Sequence, residues 1–179
     1  MTTSRRDVLQ LGALTTLLGT VGQNAWAQTQ AFESLKIITG FPPGGTSDAI
    51  CRRVSEKIAP SSYTKTAFVE NKTGAGGQIA VQFVRNAAPD GTTVLQTPMS
   101  MLGIYPHIYK KLPYDHLRDL AAISMIGTVP NVLVVHPSVP AKSMKEFLVY
   151  AKGGKVSYGS SGIGSATHLS MELIRSMTG

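Results

Sequence analysis

From Leu35 onward the apolar positions run in two alternating rhythms. Leu35, Ile37, Ile38 and Phe41 form a short, partly β-branched run, which predicts an interior strand over Leu35–Phe41. Pro42-Pro43 ends it, because proline has no N–H to offer a ladder. Ile50, Val54 and Ile58 then recur at i, i+4 and i+8, with Arg52, Arg53, Glu56 and Lys57 between them, which predicts an amphipathic helix over Ser47–Ala59. Pro60-Ser61-Ser62 stops that helix. Ala67–Glu70 reads as a second strand. Ile79–Ala88 reads as a second helix with Ile79, Phe83 and Val84 inward, and Thr92–Gln96 as a third strand after the turn Pro89-Asp90-Gly91. The order β-α-β-α-β implies right-handed crossovers and a parallel sheet.

Beyond Gln96 the texture changes. Tyr105–Asp115 holds two prolines and three tyrosines and predicts short helix mixed with loop. Ala121–His136 reads as an extended crossing segment, with Val132-Leu133-Val134-Val135 as a buried strand. A turn over Pro137–Ser143 leads to a helix over Met144–Lys152, then a strand over Lys155–Tyr158 and a last helix over Ala166–Met177.

Three connections share one composition. Pro42–Asp48, Asn71–Gln78 and Gly159–Ser165 each combine glycines with small polar or hydroxyl residues between a strand and a helix start. Gly44-Gly45 permits positive φ and a close approach of backbone to ligand. Thr46, Ser47 and Asp48 are all good helix N-cap residues. A helix N-terminus at the carboxyl end of a strand presents free N–H groups and a favourable dipole to an anion. No sharper motif fits. Gly74-Ala75-Gly76-Gly77 has Ile79 where a dinucleotide fingerprint needs its third glycine, and no P-loop lysine follows any of the turns. Gly159-Ser160-Ser161-Gly162-Ile163 lacks the last glycine of a nucleophile elbow.

Charge and rare residues narrow the chemistry. The net charge of +7 comes from scattered lysines and arginines without interleaved aromatics, which argues against a nucleic-acid partner and suits acidic small molecules. The single cysteine, Cys51, excludes a disulfide framework and lies beside Ile50, Val54 and Ile58 as a small buried hydrophobe. His107, His116 and His136 have no metal spacing, and neither a metal nor a cofactor is expected. His168 follows Ser161 by seven residues, so an exported Ser/His hydrolase is an alternative, although no orienting acid can be named. Tyr105, Tyr109 and Tyr114 read as packing or surface residues.

The first 27 residues read as an export signal. Arg5-Arg6 precede a mildly apolar stretch, Val8–Gly22, and Ala25-Trp26-Ala27 has the small-x-small pattern expected before cleavage at Gln28. Ser4-Arg5-Arg6-Asp7-Val8-Leu9-Gln10 resembles a twin-arginine motif. Cleavage would leave 179 − 27 = 152 residues working outside the cytoplasm.

Taken together, Gly40-Phe41-Pro42-Pro43-Gly44-Gly45-Thr46-Ser47-Asp48, Val69-Glu70-Asn71-Lys72-Thr73-Gly74-Ala75-Gly76-Gly77 and Ala87-Ala88-Pro89-Asp90-Gly91 closely resemble the Bug-type extracytoplasmic solute-binding receptors of tripartite tricarboxylate transporters. Leu112-Pro113-Tyr114-Asp115, Val129-Pro130-Asn131-Val132-Leu133 and Tyr158-Gly159-Ser160-Ser161-Gly162 continue the match in the same order, so it covers residues 33–179. The resemblance implies an α/β, two-lobed, hinged periplasmic-binding-protein fold. A small carboxylate or related polar solute would be held between the lobes and delivered to membrane subunits of the transporter. It implies a first lobe over 28–125, the start of a second over 126–179, and a monomer when complete. It assigns ligand contacts to Phe41, Gly44, Gly45, Thr46 and Asp48, flanked by Gly76, Gly77, Gln78 and Ser100. Opposing contacts would come from Ser160, Ser161, Gly162, Ser165 and His168. Family members are roughly twice the mature length found here. The second lobe is therefore expected to be incomplete, with exposed apolar surface and a weakly stable or aggregation-prone product, or a non-functional remnant.

Overall fold

Three parallel strands in the order β2-β1-β3 form the centre of the molecule. The structure is a computed structural model that describes residues 31–179 apart from Pro60 and Lys155. The expected export segment and the expected proline stop at position 60 lie outside the described residues. β1 (Phe32–Thr39) is the middle strand, and β2 (Thr64–Asn71) and β3 (Thr93–Gln96) flank it. Ile37 sits opposite Val69 on one side and Val94 on the other. A middle strand in a parallel sheet is covered on both faces, and Leu35, Ile37, Ile38 and Thr39 are accordingly buried.

Side-chain alternation across the sheet serves two separate cores. Leu35 and Ile37 meet Cys51, Val54 and Ile58 of α1 (Thr46–Ile58), with Ala67, Val69 and Val94 around them. A second cluster joins Val81 of α2 (Gln78–Arg85) to Met101 of α3 (Ser100–Gly103), Tyr105 of α4 (Tyr105–Ile108) and Tyr114. Leu95 of β3 packs against this second cluster, whereas its neighbour Val94 packs against the first. The Tyr114 hydroxyl, itself buried, donates to the Met101 carbonyl at 2.7 Å and so keeps its polar atom satisfied.

Two details of this half differ from the sequence expectation. The inward face of α2 carries Ala80 and Val81, while Ile79 is 45% exposed. The expected stripe is rotated because Ile79 instead folds back over Gly74, where its Cδ1 occupies the space a Cβ would take. α3 was not expected at all, because its four residues are too few to show a periodicity.

Past Leu120 two expected strands are absent among the described residues. Val132-Leu133-Val134-Val135 joins no sheet among the described residues, and Val134 is 80% exposed. The segment Val156–Tyr158, with Lys155 outside the described residues, likewise carries no ladder. A β-branched run has the composition of a strand, but a strand exists only when a neighbour takes up its backbone N–H and C=O groups. The two expected helices do form, as α5 (Met144–Gly153) and α6 (Ala166–Thr178). Each starts with its own cap: Ser143 Oγ accepts from Glu146 N, and Ser165 Oγ accepts from His168 N. Glu146 also reaches back to accept from the Lys142 N–H at 2.8 Å.

Candidate solute-binding site

Parallel pairing puts the carboxyl ends of β1, β2 and β3 on one edge, and the segments following them gather there. The turns after β1 and β2 are in direct contact. A Cβ added to Gly40 would stand 2.6 Å from Gly77 Cα, and one added to Gly77 would meet the Phe41 ring at 3.6 Å. Glycine at position 40 is thus a packing requirement, and at position 77 the φ of +94° makes it a conformational one. The second turn has four successive residues with positive φ: Gly74 (126°), Ala75 (48°), Gly76 (64°) and Gly77 (94°). Such runs turn backbone N–H groups towards one side, and the left-handed Ala75 stores on the order of 1 kcal/mol of strain. Tyr105, almost fully buried, holds this turn through a 3.1 Å hydrogen bond from its hydroxyl to the Gly76 carbonyl.

Two helices start at this edge, α1 with an open first turn and α2 with its first N–H, that of Gln78, bonded to the Ala75 carbonyl. α1 begins after Gly45 and α2 after Gly77, and neither receives a side-chain cap. The N–H groups of Thr46, Ser47 and Asp48, in the first turn of α1, precede the first intrahelical bond, which Ala49 N makes to Gly45 O at 2.9 Å. α5 and α6 differ, since serines close their N-termini. Ser100, 7% exposed, starts α3 at the same edge.

Asp48 lies beneath the first turn and is 3% exposed. Its Oδ2 accepts from Gly44 N and Arg52 Nε, both at 2.9 Å. Its Oδ1 accepts from Arg52 Nη2 at 3.1 Å and Asn71 Nδ2 at 3.0 Å. Asn71 Nδ2 also donates to the Phe41 carbonyl at 2.9 Å. The Arg52 guanidinium, then the Gly44 N–H and the Asn71 amide, hold the Asp48 carboxyl well below the usual carboxylate range. Cys51 next to it is pushed up to about 11, chiefly by burial, and is a neutral core thiol.

The third glycine-rich turn, Gly159–Ser165, rests against α4. Tyr109 Oη donates to the Ile163 carbonyl at 3.0 Å, and a Cβ on Gly164 would fall 2.0 Å from Ile108 Cδ1. Gly162 comes beside the second turn, its built Cβ 3.6 Å from Gly76 Cα. The polar groups of this turn are largely spent on one another. Ser161 Oγ lies 3.0 Å from Thr167 Oγ1, Ser165 Oγ lies 3.0 Å from the same hydroxyl, and Ser160 Oγ bonds within the turn to Gly162. His168 Nδ1 accepts from Gly164 N at 3.2 Å, while the Ser161 hydroxyl pairs with Thr167. Among the described residues Ser161 and His168 are thus bonded to other groups and not to each other.

The structure gathers Phe41, Gly44, Gly45, Thr46, Asp48, Gly76, Gly77, Gln78 and Ser100 at one sheet edge, with Gly162 against them. Sequence reading missed Asn71, Arg52 and Tyr105. An asparagine ending a strand beside a glycine-rich turn is a signal for Asn71, but nothing in the spacing points from Tyr105 to Gly76, 29 residues away.

Residues 41–179 match the model of the family described as tripartite tricarboxylate transporter family receptor. The chain is 37% identical over 158 residues to a UPF0065 protein of Bordetella pertussis, an alignment covering 87% of this chain and 48% of that protein. Among solved structures it resembles Rpa4515 of R. palustris with adipate (TM-score 0.77, 28% identity, 81% of this chain and 49% of that one). It also resembles MatC of Rhodopseudomonas palustris with bound malate (TM-score 0.73, 25% identity, 81% and 50%). These likenesses give an α/β fold of the periplasmic-binding-protein type, and the chain spans about half the length of the relatives it matches. The glycine-rich turns at the carboxyl edge of the sheet are thus turns of a known receptor fold, and the chain belongs to the tripartite tricarboxylate transporter receptor family.

Proposed function

We propose that this chain supplies one jaw, and the beginning of the second, of a periplasmic receptor that captures a small carboxylate for a tripartite tricarboxylate transporter. The first jaw would belong to a lobe reaching to about residue 125, after removal of the segment 1–27 on export. The observation that carries this reading is the uncapped start of α1 at the sheet edge where the turn before it packs, through Gly40 and Gly77, against the positive-φ turn that leads into α2. Free N–H groups and helix dipoles stabilise a carboxylate without burying a cation, whose desolvation would have to be offset. The solutes seen with the relatives, adipate and malate, are both dicarboxylates. Phe41, Thr46, Gly76, Gly77, Gln78 and Ser100 would form the near wall. Ser160, Ser161, Gly162, Ser165 and His168 would close over the far side by a hinge motion.

Calorimetric titration with adipate and malate, with adipamide as the uncharged control, tests this. The same titration is run on a full-length relative whose matching half is replaced by residues 31–179. Binding of the diacids but not the diamide is expected. Failure of both proteins to bind any of a panel of mono-, di- and tricarboxylates overturns the reading.

A further inference from the structure

We propose that Asp48 is a positioning residue whose carboxylate sets the shape of the first turn and does not touch the solute. The carboxylate is fully subscribed. Four N–H groups from Gly44, Arg52 and Asn71 converge on its two oxygens, and the group is 3% exposed. Both protons of the Asn71 amide are also committed, one to Asp48 and one to the Phe41 carbonyl. The result is a clamp that joins the end of β2 to both ends of the Phe41–Gly45 turn.

The clamp selects the donors left for an anion. Gly44 N–H is taken by Asp48, and Gly45 N–H turns back to the Pro42 carbonyl at 3.3 Å. The N–H groups of Thr46, Ser47 and Asp48 itself precede the first intrahelical bond and meet no side-chain cap among the described residues. A bare carboxylate this close to an anion site would repel the solute, but Arg52 binds it at two points and offsets its charge. Because its neighbours hold Asp48 ionised, the clamp persists at mildly acidic pH.

The affinity part of the test rests on the carboxylate-binding reading above; the backbone part does not. In amide hydrogen exchange by NMR on the full chain, Gly44 is expected to be protected, and Asp48→Asn to remove that protection, because an amide there presents donors to donors. Adipate and malate are expected to lose affinity by one common factor of about tenfold, the scale of one charge-assisted hydrogen bond. Asn71→Ala keeps the carboxylate and is expected to weaken both diacids by a smaller common factor. The exchanged pair Asp48→Asn with Asn71→Asp is expected to recover part of the loss, which a variant that merely destabilises the fold would not do. The proposal is overturned if Gly44 exchange is unchanged in Asp48→Asn. It is equally overturned if that variant gains affinity for the diacids while losing it for aspartate, whose ammonium would then be a direct partner of the carboxylate. If neither the unmodified chain nor the full-length relative carrying residues 31–179 binds any carboxylate of the panel, the functional reading falls, and the Gly44 exchange alone decides the clamp.

Discussion

Residues 31–120 and 121–179 contain similar kinds of segment and reach different outcomes. The first region turns apolar runs into three paired strands with two cores. The second has runs of the same quality, Val132–Val135 above all, yet among its described residues only Gly164 and Ser165 are buried. Its helices nevertheless form. A helix satisfies its backbone within its own sequence, and Ser143 and Ser165 supply the caps. A strand has no such recourse and needs a neighbour from elsewhere in the chain. The contrast separates what a segment specifies locally from what it specifies only with a partner. Gly164 and Ser165 are buried where the third turn leans on α4 of the first region.

The sharpest way to break the comparison is to delete apolar atoms from the equivalent strand positions. Ile38→Ala removes a side chain with no exposed surface and is expected to cost about 2–5 kcal/mol. Val134→Ala, at 80% exposure, is expected to stay within about 0.5 kcal/mol. Urea unfolding followed by circular dichroism measures both, with labelling of the Cys51 thiol as a probe confined to the first region. That thiol is buried and pushed up to about 11, so at mildly alkaline pH it should react only when the sheet opens. A cost above about 1.5 kcal/mol for Val134→Ala, well outside the range of an exposed site, would mean that the run is packed in solution, and the two regions would no longer differ in kind.

The same distinction explains what could be read from the sequence. β1, α1, β2, α2 and β3 were legible because each apolar run finds its partners within the same short stretch, Phe32 to Gln96, with clear punctuation between them: Pro42-Pro43, the glycines at 74–77, and Pro89-Asp90-Gly91. Strand ends still moved, β2 running from Thr64 rather than Ala67, since pairing with β1 extends it past its apolar part. The glycine-rich turns were legible as a group from composition. Their mutual contact was not, because the 2.6 Å approach of Gly40 to Gly77 is a property of the assembled sheet edge. Asp48 was assigned as a ligand contact by the family resemblance, and only coordinates show four donors already on its carboxylate.

A smaller effect is expected where the two regions meet. Gly164 has φ +79° and no room for a Cβ beside Ile108. Gly164→Ala should therefore cost about 1–3 kcal/mol in the placement of the third turn. Hydrogen exchange at Ser165, whose N–H bonds to the Gly162 carbonyl, should rise, while exchange in β1 is unchanged. Equal loosening of β1 would show that the turn is part of the first core rather than a guest on it. Tyr109→Phe is gentler. Among the described residues its hydroxyl makes the one hydrogen bond between the regions, and its loss should cost about 1 kcal/mol or less. The same exchange measurement checks it, with a response at Ser165 below that of Gly164→Ala.

The smallest expected effect lies wholly inside the second region. Glu172 accepts from the Tyr158 hydroxyl at 2.7 Å and is bridged by Arg175, and these two partners hold its carboxyl below the ordinary range. A depressed carboxyl contributes stability above its unfolded value and loses it as pH falls through the folded value. Acidification from neutral should thus leave the cluster intact until below the usual glutamate range, and only then loosen α6 from Tyr158. The group is solvent-facing, so screening keeps the energetic consequence slight, and the titration itself is the better observable. Carbon-detected NMR of the Glu172 carboxyl should give a midpoint below the usual glutamate value, and Tyr158→Phe, which removes the hydroxyl donor, should raise it. A midpoint at the usual value, unmoved by Tyr158→Phe, would mean that the Tyr158–Glu172–Arg175 cluster is not populated in solution. The second region would then keep its helix caps without this cluster, which makes even this weak titration informative about how far local signals carry a segment without a partner.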